Sequence, residues 1–358
     1  MREFNIKKGN FIKSENSTSL MMNNILIVIS SIAIFSFCKN GIFPFAKGTI
    51  LFSDLIHLFL LLVLPMIICI LTEFVWNILK NDKRTIRYVI NRSYAYLPGI
   101  FLSLIASVNT PIWLIILASI MATIIGKMAF GGLGKNLLNP ALVGGLLLII
   151  FIKDYANPSE IINNGLTPLQ NLQSLGFKGT YNQIVLPYGN LFNIMLGNVS
   201  GSLGGTSAIL CLFGFAYLTI TKTIKWRIPV YSTVTIFIVT TIIALTNNMG
   251  LWYPVFNLIT GSFLFGVVFM ATDPVTSPIS KDGQRIYGVL LGIIALIIRF
   301  FTPFVELLVI QILIMNLLNK LINKISIMNH FNKSYYVLSA FSLIILVALT
   351  TLILNIKL

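Results

Sequence analysis

Four short segments combine residue types and spacings that could do chemistry. The first runs Gly126-Lys127-Met128-Ala129-Phe130-Gly131-Gly132-Leu133-Gly134-Lys135-Asn136-Leu137-Leu138-Asn139-Pro140. Gly131, Gly132 and Gly134 permit positive φ and close backbone approach. Asn136 and Asn139 can satisfy orphan backbone groups before Pro140 opens the next helix. A tight turn between two apolar segments accounts for the same residues. The second segment is Thr272-Asp273-Pro274-Val275-Thr276-Ser277-Pro278, followed by Asp282, Gly283 and Arg285. A carboxylate at a membrane edge is costly unless paired or hydrated. Asp273 could cap a helix, pair with Arg285 or line an ion path. The third is Asn163-Asn164-Gly165-Leu166-Thr167-Pro168-Leu169, an Asn-Gly turn leading to a threonine before proline. The fourth, Gly197 to Ser207, carries Ser202, Gly204, Gly205, Thr206 and Ser207 just ahead of an apolar run. Consecutive N–H groups there could hold a phosphate or another anion.

The remaining ionisable residues are few. Glu73 sits late in the second apolar run, and it and Asp273 are the candidates for an ion route. Arg299 and Glu306 flank the junction of two apolar runs, where long side chains reach the interface. His57 and His330 lie near run ends and read as interfacial. No cluster has metal-ligand spacing. Cys38, Cys69 and Cys211 are scattered, with no C-x-x-C pair. An iron–sulfur cluster held by this chain alone would want four thiolates.

These segments must be positioned by membrane helices. Of 358 residues 56% are hydrophobic and only 10% charged, against about 25% charged in ordinary soluble domains. Apolar runs fall near 22–38, 55–79, 94–109, 111–127, 140–152, 206–221, 228–246, 257–271, 286–302, 303–319 and 335–356. The expectation is an all-α polytopic membrane protein with about ten spans and an extra one near the C-terminus. The net charge of +15 tests the orientation. With the N-terminus in the cytoplasm, most of the 25 basic residues fall on inside segments. Outside segments hold only Lys39, Lys47, Lys153, Lys178 and Lys357. The basic residues form no stripe interleaved with exposed aromatics, so nucleic acid is not an expected partner. The loop 153–205 is then extracytoplasmic. The first run ends without a small-residue cleavage site and reads as a retained span.

Gly99 to Pro111 and Gly261 to Pro274 resemble each other: each begins with Gly, runs apolar and stops at a polar–Pro pair. They fall in the third and eighth spans, which the count gives opposite orientations. Two inverted five-helix halves would explain this. The organisation read from the chain is a cytoplasmic segment 1–21 and a first repeat 22–152. The loop 153–205, a second repeat 206–322 and a linker with the extra span, 323–358, follow.

In this order and spacing the four segments resemble the RnfD proteins of the Rnf ion-translocating oxidoreductases. They are also similar to the homologous NqrB proteins of sodium-translocating NADH:quinone oxidoreductases. The likeness runs from about Ser14, with the Ser17-Thr18-Ser19 entry to span one, to about Asn319, and includes Lys225-Trp226-Arg227-Ile228-Pro229. It implies a fold similar to urea-transporter-like channels. It implies a subunit of a ferredoxin:NAD electron-transfer complex in a bacterial plasma membrane, moving Na+ or H+ and not catalytic alone. It implies FMN esterified to Thr167, with riboflavin between the helices. The implied partners are the other Rnf subunits: the flavin-bearing RnfG, the membrane-embedded RnfA and RnfE, and RnfB and RnfC. Three positions depart from the family pattern: Asn164 and Leu166 replace its Ser and Ala, and Gly205 replaces a Glu. A flavin-free channel of the same fold, an anchor for redox partners and the quinone-reductase protein stay open as alternatives.

Overall fold

A computed structural model describes residues 17–151, 166–205, 207–302, 308–328 and 333–357. Among these the chain is helical throughout, with no strand. The main helices are α1 (Thr18–Phe37), α2 (Phe52–Leu79), α3 (Tyr96–Ile105), α4 (Ile112–Ile124) and α5 (Pro140–Ile150). After a connecting region come α6 (Pro168–Ser174), α7 (Ala208–Ile220), α8 (Arg227–Thr246) and α9 (Trp252–Ile259). They are followed by α10 (Phe263–Phe265), α11 (Lys281–Phe301), α12 (Leu308–Met328) and α13 (Lys333–Lys357). Among the described residues six helices are long and apolar enough to cross a membrane, or seven if α9 and α10 with its extension form one bent span. Those two meet at 58°. The apolar runs at 94–109, 140–152 and 206–221 form the shorter helices α3, α5 and α7. Glu306 and His330 lie outside the described residues.

Short helices pack here because small residues let backbones meet. A Cβ on Gly99 of α3 would lie 2.5 Å from the Pro65 carbonyl of α2, and one on Gly144 of α5 would lie 2.4 Å from that of Ala118 in α4. In the second part of the chain, Gly288 and Gly292 of α11 press against the backbone of α8 in the same way. The packing pairs run in parallel: α2 against α3 and α4, α4 against α5; then α8 against α9 and α11, α11 against α12. Two helices are broken. The short helix Ile86–Asn91 is separated from α3 by a break holding Tyr94 at φ 49°. A second break, Thr260-Gly261-Ser262, parts α9 from α10 and holds Ser262 at φ 56°. Backbone freed in the membrane must find partners inside the protein, and both breaks do so through charged side chains.

Candidate functional site

At the end of the bundle that carries most of the basic residues, two motif segments far apart in sequence share one cavity. Asn136, Asn139 and Pro140 come from the glycine-rich segment, and Thr272, Asp273, Pro274 and Val275 from the second motif. Tyr94, Phe101, Lys127 and Phe269 join them. Counted out to its open mouth the cavity holds about 790 Å3. The local folding follows the sequence. Gly131, Gly132 and Gly134 have φ of 101°, 95° and 84°, which only glycine adopts without strain. Asn139 caps α5, accepting from the Ala141 N–H at 3.1 Å ahead of Pro140 at the first helical position. Asn136 Nδ2 donates to the Leu138 carbonyl.

Asp273 does not pair with Arg285. Arg285 donates instead to Asp282 at 3.1 Å, one turn back on its own helix. The Asp273 carboxylate accepts from the Thr276 hydroxyl at 2.9 Å and the Val275 N–H at 3.5 Å. Burial raises its pKa from the ordinary value; the Thr276 and Val275 hydrogen bonds and the Lys225 charge pull it back. Lys225 donates to the Ser277 hydroxyl at 2.9 Å and the Pro278 carbonyl at 3.0 Å. Burial lowers its pKa, and Asp273 opposes that.

Glu73 is not a solitary carboxylate. Lys127 Nζ donates to Glu73 Oε2 at 2.7 Å and to the Ser93 carbonyl at 2.6 Å. The Ser93 hydroxyl donates to the other Glu73 oxygen. Both charges are about 2% exposed, so the pair closes the first helix break beneath the cavity wall. Sequence reading passed over Lys127; its only signal was a lysine tucked against an apolar run before Gly131.

At the opposite end, Thr167 is the N-cap of α6. Its hydroxyl accepts from the Gln170 N–H at 3.2 Å, and Gln170 Oε1 accepts from the Thr167 N–H at 3.0 Å. Among the described residues this capping box gives the hydroxyl proton no acceptor. Thr167 is 5% exposed. Asn163, Asn164 and Thr206 lie outside the described residues. Beside Pro168 lies a smaller cavity of about 280 Å3, walled by Val199, Ser200, Gly201, Gly205 and the break Thr260–Ser262. The glycine-rich strap is fixed by main-chain bonds: Leu203 and Gly204 N–H donate to the Ala106 and Leu104 carbonyls at the end of α3. The Ser202 and Ser262 hydroxyls meet at 2.8 Å, and Ser202 accepts from the Gly205 N–H. A Cβ at Gly205 would lie 1.9 Å from Ser262 Oγ. A side chain at Gly205, such as the Glu that the resemblance expects, would therefore require that serine pair to move. Ser207 caps α7, accepting from Leu210 N–H at 3.4 Å.

Two basic residues correct the sequence reading. Arg299 does not reach for the interface: it is 2% exposed and donates to the Asn257 carbonyl and side chain at 2.7 and 3.0 Å and to the Thr260 carbonyl at 3.4 Å. It closes the second helix break. Lys39 is not a loop charge: a π turn, Cys38–Ile42, extends α1, and Lys39 is 7% exposed with Nζ donating to the Val199 carbonyl at 2.7 Å.

A bundle of membrane-length helices with a largely apolar cavity, a smaller polar one and two cation-closed breaks is a multi-pass membrane protein built around interior sites, and the chain belongs to a family of such proteins. It matches the NQR2, RnfD, RnfE family over residues 5–332. A relative in Clostridium ljungdahlii, the D subunit of the proton-translocating ferredoxin:NAD(+) oxidoreductase complex, is 29% identical over 320 residues, covering 87% of this chain and 91% of the relative. The B subunit of the Na(+)-translocating NADH-quinone reductase of Azotobacter vinelandii is 32% identical over 255 residues, covering 68% of this chain and 61% of the relative. The chain thus spans about three-fifths of that second relative. Its relatives are subunits of ion-translocating oxidoreductases, and it is a multi-pass membrane protein.

Proposed function

We propose that this chain is the RnfD-type membrane subunit of an Rnf complex in a bacterial plasma membrane. It carries electrons between FMN esterified to Thr167 and riboflavin in the larger cavity, coupled to Na+ or H+ movement. The basic end of the bundle faces the cytoplasm with the N-terminus, and the two sets of parallel packing pairs are inverted five-helix halves. One observation carries the reading: the two family motifs around Asn139 and Asp273 wall one cavity, while Pro168, next to Thr167, lines a second cavity at the other end. The near-complete coverage of the ferredoxin:NAD relative favours the Rnf form over the quinone-reductase form. The other Rnf subunits would supply and withdraw the electrons.

When bound, a flavin supplies the redox chemistry, and the protein supplies placement and electrostatics. Asn136, Asn139 and Tyr94 offer polar edges for a planar heteroaromatic ring, and Phe101 and Phe269 offer apolar faces. The Lys127–Glu73 pair sets a charge at the cavity wall that responds when the occupant gains or loses charge. Co-expression with a flavin transferase tests the assignment. Denatured wild-type protein should show flavin fluorescence in a gel, and Thr167→Ala should abolish it. Dark wild-type protein would refute the covalent assignment.

A further inference from the structure

The first helix break places an aromatic residue where glycine would fit more easily. Tyr94 has a φ of 49°, a left-handed conformation that glycine takes freely and an aromatic residue takes at a cost. Its neighbours hold it from both sides. On the N-terminal side, the Ser93 hydroxyl donates to Glu73, and the Ser93 carbonyl accepts from Lys127 Nζ at 2.6 Å. The peptide unit is planar, so fixing the Ser93 carbonyl also fixes the direction of the Tyr94 N–H. On the C-terminal side, the Ala95 N–H donates to the Val89 carbonyl at 3.2 Å, and the Tyr94 carbonyl accepts from the Leu97 N–H at 3.1 Å. Both peptides that flank Tyr94 are thereby anchored. Tyr94 is buried and lines the larger cavity together with Lys127. Its ring meets that of Tyr96 edge to face, with centroids 6.3 Å apart.

We propose that Glu73, Lys127 and Ser93 form a strut that holds Tyr94 in this conformation, and so presents its ring and hydroxyl to the occupant of the larger cavity. The inference deepens, and rests on, the reading of that cavity as the riboflavin site. The three residues come from separate segments: α2, the stretch after α4, and the break itself. A lysine ammonium carries three donors. One meets Glu73 Oε2 at 2.7 Å and another the Ser93 carbonyl. Neutralising Glu73 needs only the first. The second is a charge-assisted bond, stronger than a neutral one, and it falls on the carbonyl whose peptide unit ends at the Tyr94 nitrogen. Without it that peptide can turn, and the strained φ relaxes toward the negative range, taking the ring off the cavity wall. Tyr94 is the contact residue here; Glu73, Lys127 and Ser93 are positioning residues.

Equilibrium binding tests this without turnover. The full chain is produced without a flavin transferase, freed of flavin in detergent and titrated with riboflavin, whose fluorescence quenching reports binding. Tyr94→Ala should weaken binding by about tenfold, the size of one aromatic contact. Glu73→Gln combined with Lys127→Met should unfold near the wild-type midpoint, yet bind riboflavin about tenfold more weakly as well. Adding Tyr94→Ala to that double variant should weaken binding no further. Wild-type affinity in the double variant, or losses that multiply in the triple variant, overturns the strut. Should the double variant fail to fold, Ser93→Ala takes its place. It should weaken binding by about threefold, the size of one neutral hydrogen bond, in wild type. It should have no effect in Tyr94→Gly, where glycine accepts the left-handed φ unaided; equal weakening in both backgrounds overturns the strut. Binding that Phe101→Ala weakens and Tyr94→Ala leaves unchanged also overturns it, while keeping the flavin in the cavity. Binding that withstands both Tyr94→Ala and Phe101→Ala, or no binding by wild type, overturns the reading of the cavity and this inference with it.

Discussion

Glu73 and Asp273 show how two carboxylates of similar sequence context acquire different roles. Glu73 is locked by Lys127 and Ser93. Removing one member of a buried pair leaves the other charge uncompensated, at a cost of about 3–5 kcal/mol, while replacing both with apolar residues is often near neutral. Glu73→Gln should therefore lower the unfolding midpoint sharply, and Glu73→Gln combined with Lys127→Met should recover much of the loss. A double variant as unstable as the single one would show that the pair holds more than its own charges. Asp273 behaves differently because its pKa is raised in the folded chain, chiefly by burial. Its folded form holds the proton more tightly than the unfolded form. The stability it contributes is full below the unfolded carboxyl value of about 3.9 and is lost as pH rises through the raised folded value. Asp273→Asn should flatten the fall in stability over that interval, read as midpoints across a pH series. An unchanged slope would place the titration elsewhere.

At the scale of elements, the two helix breaks define what the sequence concealed. The run 257–271 reads as one apolar span, yet the chain breaks at Thr260–Ser262 and bends by 58°. Gly261 was visible as the start of a repeat, but its φ of 73° and its proximity to Leu169 and Arg299 arise only from tertiary packing. Arg299 looked interfacial because it sits near the end of an apolar helix; its acceptors belong to α9, far away in sequence. Lys39 was hidden by the π turn that carries α1 beyond its apolar run. In contrast, the turn at Gly131–Gly134 and the Asn139 cap were legible, because left-handed φ and helix capping are local properties. Gly261→Ala should cost roughly 1–3 kcal/mol, since a Cβ would be forced into a left-handed backbone and within 2.6 Å of Leu169 Cδ2. It should also reduce Thr167 labelling more than riboflavin retention, because the break walls only the smaller cavity. Equal loss of both would mean that the break supports the whole bundle.

The whole molecule places a basic belt at one end of the helices and the Thr167 end at the other. Composition alone made the membrane class readable, since no soluble core could bury so much apolar surface. The proposed orientation rests on the electrostatics of insertion, which keeps Lys and Arg loops on the cytoplasmic side. Lys83, in the turn after α2, and Lys178, after α6, are both exposed and lie at opposite ends of the chain's alternating path. Cys69 and Cys211 are buried, so introduced thiols can be read above a low background once Cys38 is replaced by Ser. Lys178→Cys should react with a membrane-impermeant maleimide in intact cells. Lys83→Cys should react only after permeabilisation. The reverse pattern would put Thr167 on the cytoplasmic side, away from an extracytoplasmic flavin transferase, and would overturn the orientation and the labelling route together.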